Sequence, residues 1–128
     1  MEFKDLEGLT LISVEGMKTG SDHVTLTEAS GRKFHLLHVQ DCCESVELED
    51  VCGDVEDLLG VPIIVAREVT NIDLGPKHRY TESCEWTFYR IYTQKGSVVL
   101  RWYGESNGYY SERVSFYEET EEENYACR

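Results

Sequence analysis

The strongest constraint on the fold lies in the C-terminal half. Three runs there, Glu85 to Thr93, Ser97 to Tyr103 and Tyr109 to Tyr117, are crowded with aromatic and β-branched side chains. Such side chains lose rotamer freedom in a helix and pack well on a pleated surface, so each run reads as a strand. Gln94-Lys95-Gly96 joins the first two, and Asn107-Gly108 joins the last two. Asn-Gly suits a two-residue hairpin because both central positions need positive φ. The register that follows places Trp102 opposite Arg113, Tyr103 opposite Glu112 and Val99 opposite Phe116. It predicts a cation–π contact between Trp102 and Arg113, worth about 0.5–1 kcal/mol at an exposed site.

The N-terminal half repeats the theme more weakly. Phe3 to Leu6 reads as a short helical turn, and Leu9 to Glu15 as a strand. Asp22 to Glu28 alternates, with Val24 and Leu26 on one side and Thr25 and Thr27 on the other, and Lys33 to Val39 is its hairpin partner across Ala29-Ser30-Gly31-Arg32. Val51, Val55, Leu58 and Leu59 fall at i, i+4, i+7 and i+8, one face of a helix. Gly53 disfavours helix before it, so the helix is expected to start near Asp54 and to stop at Gly60 and Pro62. Val61 to Val69 is a strand, and Asn71 to Ser83 a polar loop. The expectation is an α+β fold: an antiparallel β-sheet of about six strands with one short amphipathic helix. Residues 1–117 form a single domain, and 118–128 an acidic tail.

The charge narrows the choice of partner. Asp and Glu number 25 against 12 Lys and Arg, a formal net charge of -13. Such a chain is repelled by long nucleic acid and anionic lipid and attracted to basic protein surfaces. Solubility alone also explains an acidic balance. The arrangement favours the interaction reading, because from Asp41 to Gly60 there are acids but no Lys or Arg. Glu47, Glu49, Asp50, Asp54, Glu56 and Asp57 are the candidate partner-binding face. No apolar run approaches the ~18 residues a membrane span needs, and no basic-then-apolar segment opens the chain, so a cytoplasmic address is expected.

Five cysteines without a secretory signal are expected to be free thiols or metal ligands, and the neighbours Cys42 and Cys43 to make a poor bridge. His38, Cys42, Cys43 and Cys52 form the candidate metal cluster, since thiolate and imidazole are the ligands that zinc prefers. His38 is favoured over His35 because strand alternation sends the two to opposite faces. Asp41 and Glu44 would orient the ligating histidine. The plain alternative is that these thiols are small buried hydrophobes. Cys42 or Cys43 with His38 also makes a thiolate–imidazolium pair on paper, but neighbouring acids raise a thiol's pKa, so the chain is not read as an enzyme. Phosphate-binding glycine motifs are missing from the sequence. Aromatic rings beside Arg101 and Arg113 suggest an alternative site for a small anionic ligand, made of Arg101, Trp102, Tyr109 and Arg113. Core packing is the competing account of most of these rings.

The runs Asp41-Cys42-Cys43-Glu44-Ser45-Val46, Glu49-Asp50-Val51-Cys52-Gly53-Asp54, Glu85-Trp86-Thr87-Phe88-Tyr89 and Arg101 through Glu112 carry a resemblance. Over about residues 3 to 117 the chain resembles a family of small acidic proteins of unknown function encoded mainly by tailed phages. The resemblance implies an inhibitory binding protein acting in the cytoplasm of the host cell. An acidic surface would dock on a basic host-defence protein, in the manner of an anti-CRISPR protein acting on a type II CRISPR nuclease. The alternatives are a sponge for a small nucleotide defence signal and a structural or accessory phage protein.

Overall fold

Alternating segments become strands close to where the pattern puts them. The computed structural model describes residues 2–40, 42–71, 83–107 and 111–119. In chain order the strands are β1 (Leu11–Glu15), β2 (His23–Glu28), β3 (Lys33–Leu37), β4 (Ser45–Cys52), β5 (Ile63–Asn71), β6 (Ser83–Thr93), β7 (Gly96–Ser106) and β8 (Ser115–Glu118). They make two antiparallel sheets, ordered β1-β2-β3-β8 and β4-β7-β6-β5. The fold is mainly β. The only helical elements among the described residues are 3-10 turns at Phe3–Leu6 and Val55–Leu58.

One core lies between the sheets. β2 and β3 contribute Val24, Leu26, Phe34 and Leu36, all fully buried, while the second sheet contributes Leu48, Tyr89, Ile91, Leu100 and Trp102. Their neighbours in sequence, such as Thr25, His35 and Arg101, stand on the opposite faces, as period-two alternation requires. The turn Phe3–Leu6 closes one side. Its Phe3 ring lies 4.6 Å from that of Tyr89 and 5.3 Å from that of Phe116, so it touches both sheets.

In place of the expected α+β fold with one sheet of about six strands, the described residues form two four-stranded sheets, and two local expectations also need correction, with a shared cause. The acidic segment was expected to lead into an α-helix, but Ser45 to Cys52 forms β4, and Val51 pairs with Leu100. That leaves Val55–Leu58, between Gly53 and Gly60, for helix. A segment this short cannot repay helix nucleation, so it settles as one 3-10 turn, capped by the Asp54 carboxylate accepting from Glu56 N at 3.0 Å. The second correction concerns β7 and β8. β4 and β6 already occupy both edges of β7, so the segment after Asn107 cannot pair there. β8 crosses to the other sheet and pairs with β3, Phe116 opposite Leu36. Trp102 therefore faces Leu48 and Thr87 rather than Arg113. The Gly108 end of the expected hairpin turn, the loop over 72–82 and the tail over 120–128 lie outside the described residues. Glu118, assigned by the sequence to the tail, belongs to β8.

The β2–β3 hairpin is as the sequence predicts, and β6 and β7 are joined where expected, although Gly96 pairs with Thr93 as the first residue of β7 and leaves Gln94-Lys95 as the turn. Gly53, at φ +115, is required where it stands. A Cβ there would enter the carbonyl of Ser97, and the left-handed backbone excludes most other residues.

Candidate functional site

The acidic segment forms an edge. β4 is an outer strand of its sheet, and the turn Val55–Leu58 continues it past the end of β6 and β7. Val46 and Leu48 point inward and are buried, and Glu47 between them is exposed. A bulge between Leu48 and Asp50 resets the alternation, so Asp50 stands opposite Arg101 with a 3.6 Å ion pair. Asp54 and Glu56 are exposed, whereas Glu49 and Asp57 are half-buried. Lys95 reaches this region, but its ammonium caps the carbonyls of Glu56 and Leu59, at 3.2 and 3.1 Å. Among the described residues, Glu47, Asp54 and Glu56 form no ion pair. The six predicted partner-binding acids thus lie along one edge of the molecule.

The proposed metal cluster is not assembled. Cys52 closes β4 at the end opposite Ser45. At about 3.3 Å per residue along a strand, roughly 20 Å separates it from the turn that holds Cys42 and Cys43. Those two cysteines, expected to be unbridged, are joined as a vicinal disulfide. His38 turns instead to Glu44: its Nε2 lies 2.8 Å from Glu44 Oε2, and its Nδ1 lies 2.7 Å from the carbonyl of Arg113. Both ring nitrogens are thus engaged by oxygens of the protein. Glu44, foreseen as an orienting partner of His38, is the centre of the knot. It also accepts from Cys42 N at 2.8 Å and from the Gln40 amide at 3.1 Å. The buried carboxylate satisfies the turn from within and ties it, through His38, to the segment before β8. Asp41 lies outside the described residues. No three His, Cys, Asp or Glu side chains among the described residues are grouped to hold a metal.

The alternative ligand patch is also dispersed. Arg101 and Trp102 are neighbours on a strand and so face opposite ways. Arg101 lies over the Trp86 ring, 5.4 Å from its centroid, while Trp102 is 1% exposed in the core. Tyr109 lies outside the described residues. Arg113 is elsewhere, in a cleft that sequence reasoning missed.

That cleft, of about 530 Å³, opens where the edge of β5 approaches the segment before β8, among Phe3, Lys4, Glu68, Arg113, Val114 and Phe116. A smaller hollow of about 180 Å³ adjoins it, adding Thr70, Glu85 and Thr87. The cleft is where two sheet edges fail to meet, a tertiary feature with no signal in any single run. Its ionisable groups feel the enclosure. Burial, then the Glu112 carboxylate, raises the pKa of Glu85, with Arg113 opposing. Burial, then Glu68, raises that of Tyr89 beneath. A carboxyl raised in the folded state contributes stability that is complete below its unfolded pKa and lost as pH rises through the folded value. Glu85→Gln is therefore expected to raise the melting temperature at pH 7. The gain should vanish below the ordinary carboxylate range, as thermal denaturation across pH would record. An equal gain at pH 3 would show that charge is not its origin.

A small two-sheet β-domain with an acidic edge and an open cleft is the class these features define. No helix among the described residues is long and apolar enough to cross a membrane. Residues 5–116 match a family described as Domain of unknown function (DUF7448), and the chain belongs to that family. No curated protein and no solved structure matches it.

Proposed function

We propose that this protein acts by binding, with the edge formed by β4 and the turn Val55–Leu58 docking on a basic surface of a protein partner. The observation that carries the reading is the concentration of Glu47, Glu49, Asp50, Asp54, Glu56 and Asp57 along one sheet edge, three of them exposed. Asp50 is drawn into an ion pair with Arg101, whereas Glu47, Asp54 and Glu56 form none among the described residues. A rigid sheet fixes such charges in space, so their fields add at one place, which speeds encounter with a cation-rich surface and selects its orientation. The reading is non-enzymatic. The resemblance to small acidic phage proteins directs it toward a host-defence protein in the host cytoplasm, with a type II CRISPR nuclease as the first partner to test. Affinity measured by titration calorimetry between 50 and 300 mM salt is expected to fall by about tenfold or more, because salt screens exposed charge. A salt-independent affinity would show that the contact is not built on these acids.

The cleft supports a second reading, a sponge for a small anionic signal held by Arg113. A ligand that binds the folded state raises its melting temperature by mass action, so a panel of cyclic nucleotides separates the two readings. An unchanged melting temperature at millimolar nucleotide removes the second.

A further inference from the structure

The outer face of the first sheet carries a constellation that neither the acidic edge nor the cleft uses. Thr25 on β2 pairs with His35 on β3, and His23 lies diagonally beside them. The His23 and His35 rings are 5.0 Å apart between centroids. His23 Nε2 lies 2.8 Å from His35 Nδ1, and Thr25 Oγ1 lies 3.4 Å from each of these nitrogens. Two imidazole nitrogens and a hydroxyl oxygen thus lie within 3.4 Å of one another. On the far side of the His35 ring, Nε2 lies 3.2 Å from Glu119 Oε1, and the Tyr117 ring stacks on His35 at 5.2 Å.

We propose that His23 and His35 form a binding site for one divalent transition-metal ion of the imidazole-preferring class, such as zinc, with Glu119 as the positioning residue. The tautomers follow from the partners. A carboxylate can only accept, so His35 carries its proton on Nε2 and presents the lone pair of Nδ1 to His23. Without an ion, His23 Nε2 must donate to that lone pair. Moving the His23 proton to Nδ1, on a ring that is exposed, turns a second lone pair to the same point. Metal–nitrogen bonds of about 2.0–2.1 Å at a tetrahedral centre place ligand atoms roughly 3.3 Å apart. The present separations of 2.8, 3.4 and 3.4 Å bracket that spacing, so a modest rotation of the exposed His23 ring admits the ion. The carboxylate behind His35 is the arrangement that fixes ring orientation and raises basicity in histidine-bound metal sites. Water would complete the coordination, and Thr25 would bond to a bound ion or its water. The net charge of -13 concentrates cations at the surface.

The test is titration calorimetry of metal-free protein with zinc chloride, after alkylation of its free thiols so that cysteine does not contribute. One ion per chain at micromolar affinity is expected. His23→Asn, on the exposed ring, should weaken binding at least tenfold. Glu119→Gln, which touches no ion, should weaken it by about tenfold through His35 alone. Thermal melts of both variants check that each is folded. Should zinc bind the His23→Asn protein as tightly as the parent, or should the parent bind none at about 100 µM zinc, the site is overturned. Loss in His23→Asn with full retention in Glu119→Gln would leave a two-histidine site and remove the positioning role.

Discussion

Trp102→Ala is expected to lower the unfolding free energy by about 3–5 kcal/mol, a large share of the roughly 5–15 kcal/mol that holds a domain of this size together. The ring is 1% exposed and sits on the central strand β7, against Leu48 on one neighbour and Thr87 on the other. Its removal opens a cavity that the paired strands on both sides cannot close. Trp102→Phe should cost markedly less, because the indole nitrogen is buried without a hydrogen-bond partner among the described residues and its loss relieves that penalty. Urea denaturation followed by circular dichroism measures both. A loss under ~1 kcal/mol for the alanine variant would place the ring at the surface, where the sequence-based hairpin put it.

The second large effect concerns recognition. Combining Glu47→Lys, Glu56→Lys and Asp54→Asn is expected to reduce affinity for the basic partner about 100-fold while leaving the melting temperature nearly unchanged. Each lysine moves the edge by two charges and the asparagine by one. At ~0.5–1 kcal/mol per exposed charge the total approaches the roughly 2.7 kcal/mol that a 100-fold change represents. Asparagine is chosen at position 54 because the side chain there caps the 3-10 turn, and Asn caps as well as Asp. Glu47 and Glu56 are exposed and form no ion pair among the described residues, so their replacement leaves no buried group unpartnered. Surface plasmon resonance at fixed salt gives the affinity, and most of the change should appear in the association rate. Unchanged binding by a folded variant would mean that the acidic edge is a solubilising surface.

The missed strand shows where residue patterns fail. Val46-Glu47-Leu48-Glu49 alternates between apolar and acidic side chains, a period-two signal that would have identified β4. Three acids in five residues argue against strand on propensity, and the bulge after Leu48 breaks the alternation before it becomes long enough to stand out. Without β4, the free edge of β7 invited β8, and Trp102 was paired with Arg113. Cys52 lies apart from Cys43 for the same reason: β4 extends the chain between them, where a compact turn would have drawn them together. The His23–His35 pair was visible as strand residues, and alternation did separate His35 from His38. The hairpin brings residues 12 apart side by side, but nothing local said that Glu119 would arrive behind them.

Local chemistry in the sequence alone determined the antiparallel β character, the β2–β3 and β6–β7 hairpins and the acidic segment. Alternation, turn residues and charge act between neighbours in the chain, so each of these can be read from a short window. Tertiary structure alone decided which sheet received β8, that the acids line an edge, that Arg113 lies in a cleft and that His38 serves Glu44. These depend on which strand edges remain open after the nearby pairings are made, and that competition is settled only when the two sheets close on one core.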